Sequence, residues 1–248
     1  MDSLASTLQR FFRTKSKEQQ PQIAYDQWSG NYDDQPDNLM LAWDNAIFSE
    51  LINVIDPGGK TIVDVGCGTG RHWQELYNKN VRSLIGFDVS EGMLSVLQAK
   101  FPQAVTHRLN DNILDAIPAE SCDCVVSTLT IAHIKNAEEA ITEWCRILKP
   151  GGHLIITDYH PYALTKGATR TFNYKSKTFS IRNYVHTLES IDVVMRQLKM
   201  QQLRLIEKII DASAKPFYEK QNALPIYEAW KGVPVIYGKL LKKSDEPL

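Results

Sequence analysis

The segment Val63-Asp64-Val65-Gly66-Cys67-Gly68-Thr69-Gly70 constrains this chain more than any other. A β-branched run passes directly into a glycine turn, and the stretch 71–79 behind it reads as a helix. Glycines let the backbone bend sharply and let a ligand approach with no Cβ in the way. The free N–H groups of a following helix can face an anionic group. A dinucleotide fingerprint, however, is G-x-G-x-x-G with pyrophosphate on the helix end. Here the third glycine comes one residue early, and Asp64 puts a negative charge two residues before the first. Both features disfavour a pyrophosphate, and with it a nicotinamide oxidoreductase. They suit a ligand with a cationic end.

The surrounding sequence alternates regularly. Residues 38–56 carry Leu39, Trp43, Ile47, Leu51 and Ile55 four apart, an amphipathic helix stopped by Pro57-Gly58-Gly59. Strands are expected at 61–65, 83–89, 104–109, 122–128 and 153–159, with helices at 71–79, 91–101 and 137–148 between them. β-Branched strands alternating with helices predict a parallel sheet covered on both faces, and right-handed crossovers make it doubly wound. After residue 160 the rhythm changes. Two β-rich runs flank Lys175-Ser176 as a hairpin, a helix is expected at 187–199, and strands at 203–211 and 234–243 complete a count of seven. The polar stretch 1–22, with its Leu8/Phe11/Phe12 cluster, reads as a frayed helix or a flap over a ligand.

Asp88 ends the second strand, 18 residues beyond Gly70. An acid there can accept two hydrogen bonds from a ribose diol. A lone Asp at a strand end is more often a helix cap, but Ser90 is available for that task.

Taken together and in order, these motifs resemble those of class I S-adenosylmethionine-dependent methyltransferases of the ubiquinone/menaquinone-biosynthesis type. VDVGCGTG is the glycine motif, and GFDVSEGML (86–94), including Val89, the ribose motif. Asn110-Asp111-Asn112 falls where the family contacts adenine. CDCVVSTLTIAHI (122–134) and RILKPGGHLIITD (146–158) follow, and Tyr25-Asp26 with Tyr32-Asp33 resembles the aromatic lid. The resemblance covers residues 25–158. It implies a doubly wound, mostly parallel α/β sheet of seven strands, Rossmann-like, with an N-terminal lid (1–37) and a methyltransferase domain (38–248). The latter divides into a cofactor half (60–130) and a substrate-side insertion (160–200).

The resemblance also implies roles. Gly66, Gly68 and Gly70, with Cys67 between them, would lie against the methionine part and ribose of S-adenosylmethionine. Asp64 would hold the ammonium, Asp88 and Val89 the ribose, Met93 the underside of the adenine, and Asp111 and Asn112 its edge. Ser127 and Thr128 would line the methionine end, and Tyr32 would close the lid. The sequence departs from the family at Asn112, where a small residue is more usual.

A hydroxyl acceptor must lose a proton on methylation, so a general base is sought among the histidines. His133 ends the fourth-strand motif, and His160 follows the fifth strand. His186 follows the hairpin. Each has a plain alternative as a packed or backbone-bonded ring. His72 belongs to the cofactor's carboxylate end or to a helix cap, while His107 and His153 read as structural.

Net charge is −1 from 28 Lys+Arg and 29 Asp+Glu, without the basic excess of a nucleic-acid binder. No run approaches the roughly 18 apolar residues of a membrane span, and no secretory signal is seen, so a cytoplasmic location is expected. Cys122 and Cys124 are read as split between the two faces of their strand, and no metal site is expected. Tyr162, Phe172, Tyr174, Phe179 and Tyr184 in the insertion suit an apolar or aromatic small-molecule acceptor, or are cross-strand pairs of the hairpin. O-methylation is favoured over C- or N-methylation. A non-catalytic cofactor-binding scaffold remains a rival, and a homodimer through residues 215–219 stays open.

Overall fold

The computed structural model describes residues 16–35 and 37–245; the reading of residues 1–15 as helix or flap lies outside them. Strand β1 (Lys17–Gln19) leads into α1 (Pro21–Trp28), a 3-10 turn, and α2 (Leu39–Ile52). Then follow β2 (Thr61–Val65), α3 (Trp73–Asn78), β3 (Ser83–Asp88), α4 (Glu91–Lys100) and β4 (Val105–Arg108). After these come β5 (Cys122–Thr128), α5 (Ala137–Ile147), β6 (Leu148–Tyr159) and α6 (Pro161–Thr165). The chain continues through β7 (Thr171–Tyr174), β8 (Lys177–Ile181), α7 (Leu188–Gln197) and β9 (Met200–Ile209). It finishes with α8 (Lys215–Lys220), α9 (Leu224–Trp230) and β10 (Pro234–Lys243).

The central sheet has the order β4-β3-β2-β5-β6-β10-β9. Strands β2 to β6 pair in parallel, while β10 runs antiparallel to both β6 and β9. The chain winds outward through β3 and β4 on one side of β2, then restarts with β5 on the other. A crevice therefore opens at the carboxyl ends of β2 and β5, where open α/β sheets bind ligands.

One face of the sheet is covered by α5 and α7, with Ile141, Trp144, Ile191 and Met195 buried against it. The other is covered by α2, α3 and α4 through Phe48, Leu51, Trp73, Leu76 and Leu97. Gly238 of β10 is needed for that second packing, because a Cβ there would lie 2.2 Å from Ile47 Cγ2. The hairpin β7–β8 forms as expected, with Lys175 and Ser176 both at positive φ (47° and 60°), the signature of a two-residue mirror-image turn. It pairs with β1 in a separate three-stranded sheet.

Some boundaries differ from the sequence reading. Residues 17–28 are a strand followed by a helix that starts at Pro21, because proline suits the first helical position. The segment between the last two strands, which bears prolines and aromatics, holds α8 and α9, each with a proline as its second residue. Cys122 and Cys124 do pack in opposite core clusters. The cause is a register shift between them, since residues two apart on a regular strand share a face. No helix among the described residues is long and apolar enough to cross a membrane.

Gly238→Ala is expected to cost about 1–3 kcal/mol through overpacking against Ile47. The urea midpoint should fall with the slope unchanged; an unchanged midpoint would show that α2 can yield.

Candidate active site

The glycine turn is fixed from the neighbouring strand. Gly66 N–H and Cys67 N–H both donate to the Phe87 carbonyl, at 2.7 and 3.0 Å. Gly68 N–H donates to Asp88 Oδ2 at 2.8 Å. Asp88 Oδ1 accepts from Ser90 N at 2.8 Å, and Ser90 Oγ caps α4 by accepting from Met93 N, as the sequence anticipated. Glycine is required at two positions for different reasons. At Gly66 a Cβ would lie 2.1 Å from Thr130 Oγ1, whereas at Gly68 (φ +52°) it would meet no atom within 4 Å. The face at Gly68 opens into a cavity of about 380 Å³.

Two buried acids sit at this loop. Burial pushes the Asp88 carboxyl up to about 6 even though it accepts backbone N–H bonds. Burial likewise raises Asp64, to about 7, with the Asp88 charge adding to the effect. Asp64 Oδ2 accepts from Trp73 Nε1 at 2.8 Å, while its Oδ1 is buried with no hydrogen-bond partner.

The paired Tyr-Asp motifs divide their labour. The acids fasten the N-terminal segment: Asp26 Oδ1 accepts from Ser90 Oγ (2.7 Å) and Gly92 N (3.0 Å) at the start of α4, and Asp33 Oδ1 accepts from Thr69 Oγ1 (2.7 Å) in the glycine turn. The tyrosines, Tyr25 and Tyr32, line the cavity. Trp28 stacks on Phe172 of the hairpin at 5.3 Å, joining α1 to β7 in a roof with Ala24, Tyr32 and Met93.

Most of the residues expected at a cofactor meet at this cavity. Tyr32, Gly66, Gly68, Asp88, Val89, Met93, Asp111, Asn112 and Thr128 all line it. Asp64, Cys67, Gly70 and Ser127 are not among the lining residues. The region where a Cβ on Gly86 would stand is filled by Cys67, whose Sγ would be 2.8 Å away. Gly70 turns at φ +71° against Leu97, so it serves the packing of the helix. Ser127 Oγ is buried without a hydrogen-bond partner. The sequence reading missed Thr130, Trp144 and Arg170. Arg170 carried no signal, because a charged residue beside a hairpin strand looks like solvated surface.

The histidines separate clearly. His133 lines the cavity. Its Nδ1 is 2.9 Å from the Arg182 carbonyl, which can only accept, so Nδ1 carries the proton and Nε2 accepts from Tyr25 Oη at 2.9 Å. Burial lowers its pKa to about 4, so the ring is neutral around pH 7. His160, expected to aim into the acceptor pocket, instead caps α6: Nδ1 accepts from Tyr162 N at 3.1 Å and Nε2 donates to Glu207 at 2.8 Å. His186 donates from Nε2 to the Ile134 carbonyl at 2.8 Å, outside the cavity lining. His72 bonds Asp44 at 3.0 Å and stacks on Phe48.

Residues 63–156 match the methyltransferase domain family. Over part of its length the chain is similar to methyltransferases. It is 28% identical over 136 residues to the ubiquinone/menaquinone biosynthesis C-methyltransferase UbiE of Campylobacter jejuni, covering 52% of this chain and 55% of that protein. It is 29% identical over 160 residues to the biotin biosynthesis bifunctional protein BioHC of Teredinibacter turnerae, covering 58% of this chain and 27% of that one. The match thus spans about half, or less, of these relatives' length. An S-adenosylmethionine dependent methyltransferase from Mesorhizobium loti shares the fold, with a TM-score of 0.62 over 80% of this chain and 98% of its own at 18% identity.

The lining of the cavity fits S-adenosylmethionine, the cofactor of the methyltransferases the chain resembles. The open face of Gly68 suits a close ligand, and Asp88, which lines the cavity, retains lone pairs for a diol. Asp88 would accept from a diol as a carboxylate, and burial has raised it above the ordinary carboxylate range, to about 6. Affinity for S-adenosylhomocysteine is therefore expected to fall by about tenfold between pH 8 and 5 as Asp88 takes up a proton, read by titration calorimetry. A flat profile would remove Asp88 from the binding contacts. Asp88→Ala at pH 8 should weaken the same binding by about 1–3 kcal/mol.

Proposed function

We propose that this protein transfers the methyl group of S-adenosylmethionine to a small, largely apolar or aromatic acceptor, with oxygen as the favoured reacting atom. The observation that carries this reading is one cavity lined both by the glycine turn with Asp88 and by the Tyr25–His133 pair. The cofactor supplies a methyl carbon activated by a positively charged sulfur. The protein's own part is to place the acceptor in line with it, to exclude water, and to take up a proton.

Exclusion of water falls to the roof made by α1 and the β7–β8 hairpin, which resembles the lid and substrate-side insertion of the domain division read from the sequence. Proton uptake falls to the Tyr25–His133 pair. His133 is neutral, and its Nε2 lone pair faces Tyr25 Oη. A hydroxyl acceptor beside Tyr25 Oη can pass its proton to that oxygen as Tyr25 passes its own to Nε2. A positioned base of this kind contributes roughly 10²–10⁴-fold in rate. Burial holds the Tyr25 phenol well above its usual range, so it acts as a protonated relay.

Calorimetric titration with S-adenosylmethionine and S-adenosylhomocysteine should give micromolar binding, with none for NAD; failure of both sulfur nucleosides to bind would overturn the proposal. Methyl uptake is then screened over phenolic, carboxylic and isoprenoid acceptors. On an acceptor so found, Tyr25→Phe and His133→Ala should each lower kcat by about 10²-fold or more, His133→Ala while leaving S-adenosylhomocysteine affinity unchanged. His160→Ala should leave kcat intact and cost about 0.5–2 kcal/mol of stability through loss of the α6 cap.

A further inference from the structure

Arg170 is a buried cation of an unusual kind for this molecule. It is only 5% exposed, yet no carboxylate among the described residues lies within salt-bridge distance. The other buried cations are matched by acids: Lys239 by Asp192, Lys243 by Glu120, and the largely covered Arg71 by Asp44. Arg170 has phenols instead. Its Nη2 donates to Tyr32 Oη at 2.7 Å and its Nη1 reaches Tyr25 Oη at 3.5 Å. Its guanidinium carbon stands 5.9, 5.3 and 5.2 Å from the ring centroids of Tyr25, Trp28 and Tyr32.

Ring faces and neutral phenols offset part of the cost of burying a guanidinium, but a buried charge without a counter-charge remains expensive. The acid that feels Arg170 most directly is Asp158, and it is otherwise engaged. Its two oxygens accept from Ala132 N at 2.8 Å and Tyr159 N at 2.6 Å. His133 is neutral, and Arg71 is already paired with Asp44, so neither supplies a counter-charge. Arg170 nevertheless lines the same cavity as Gly68 and Asp88. An anion entering that cavity would find a planar fork of donors already oriented by two tyrosines and a tryptophan. A carboxylate matches such a fork in shape and charge.

We propose that Arg170, held by Tyr25 and Tyr32, is a carboxylate-binding subsite within the methyltransferase cavity. It deepens the function proposed above and rests on it. The carboxylate is either that of the cofactor's amino-acid end or that of an acidic acceptor, and the two sources separate experimentally.

The test titrates S-adenosylhomocysteine and methylthioadenosine, which lacks the amino-acid end, into wild type and Arg170→Met. Benzoate, with benzamide as the neutral control, is titrated into both proteins alone and saturated with S-adenosylhomocysteine. A loss of about tenfold or more for S-adenosylhomocysteine in Arg170→Met, with methylthioadenosine unchanged, assigns the subsite to the cofactor. Unchanged nucleoside binding with benzoate binding lost in the variant assigns it to the acceptor. If Arg170→Met leaves S-adenosylhomocysteine unaffected and wild type takes up benzoate no better than benzamide, the subsite does not exist. Arg170→Lys, which keeps the charge but not the fork, replaces Arg170→Met should the latter melt early, and should show a partial loss. Wild type that binds neither nucleoside but prefers benzoate would sink the cofactor reading while leaving the subsite standing.

Discussion

The hydrogen bond from Gly68 N–H to Asp88 Oδ2 ties the two halves of the binding site together. It joins the turn after β2 to the end of β3, and the Phe87 carbonyl reinforces it by accepting from Gly66 and Cys67. A turn built of positive-φ residues is entropically costly to order. Fastening it at three N–H groups to one adjacent strand offsets that cost. It also leaves the open side of Gly68 toward the cavity. The same carboxylate accepts Ser90 N–H, so Asp88 organises the start of α4, and through it the point to which Asp26 anchors the segment around α1. Loss of this acid would loosen three segments at once.

The N-terminal segment around α1 is held by two kinds of interaction that do separate work. Asp26 and Asp33 supply direction, through hydrogen bonds to α4 and to the glycine turn. The aromatic cluster supplies adhesion. Trp28, Tyr32, Phe172 and Met93 are almost wholly covered, and stacked aromatic pairs of this sort contribute about 0.5–1.5 kcal/mol each beyond their area. Both are modest energies.

The sheet was legible because its information is periodic. β-Branched runs, the glycine turn, Asp88 and Ser90 are local signals, and each one lands where the sequence places it. Met93, Asp111 and Thr128 line the same cavity as Asp88. What was not legible depends on where separate segments meet. Arg170 looks like surface until α1 folds over it. Gly70 and Cys67 share a motif with Gly66 and Gly68, yet the turn's curvature directs them inward to Leu97 and Gly86. Trp144 reads only as a core residue of α5, and it also reaches the cavity.

The choice among the histidines shows how the second ring nitrogen decides a role. In Asp158-Tyr159-His160-Pro161 the proline takes the first helical position, which makes His160 the cap. That leaves Nδ1 as an acceptor for the helix and Nε2 as a donor to Glu207, with no lone pair for chemistry. His133 sits on the 3-10 turn Ile131–His133, which Asp158 braces by accepting Ala132 N–H. The Arg182 carbonyl claims its Nδ1 proton, and Nε2 is left bare toward Tyr25. His160 is covered and His133 half-buried, but only His133 keeps an unprotonated nitrogen aimed at a residue of the cavity. Asp158 therefore acts on the site at one remove: by fixing the turn it fixes the tautomer's geometry. It does so with a carboxyl that burial has raised to about 7 and that retains its hold through backbone donors.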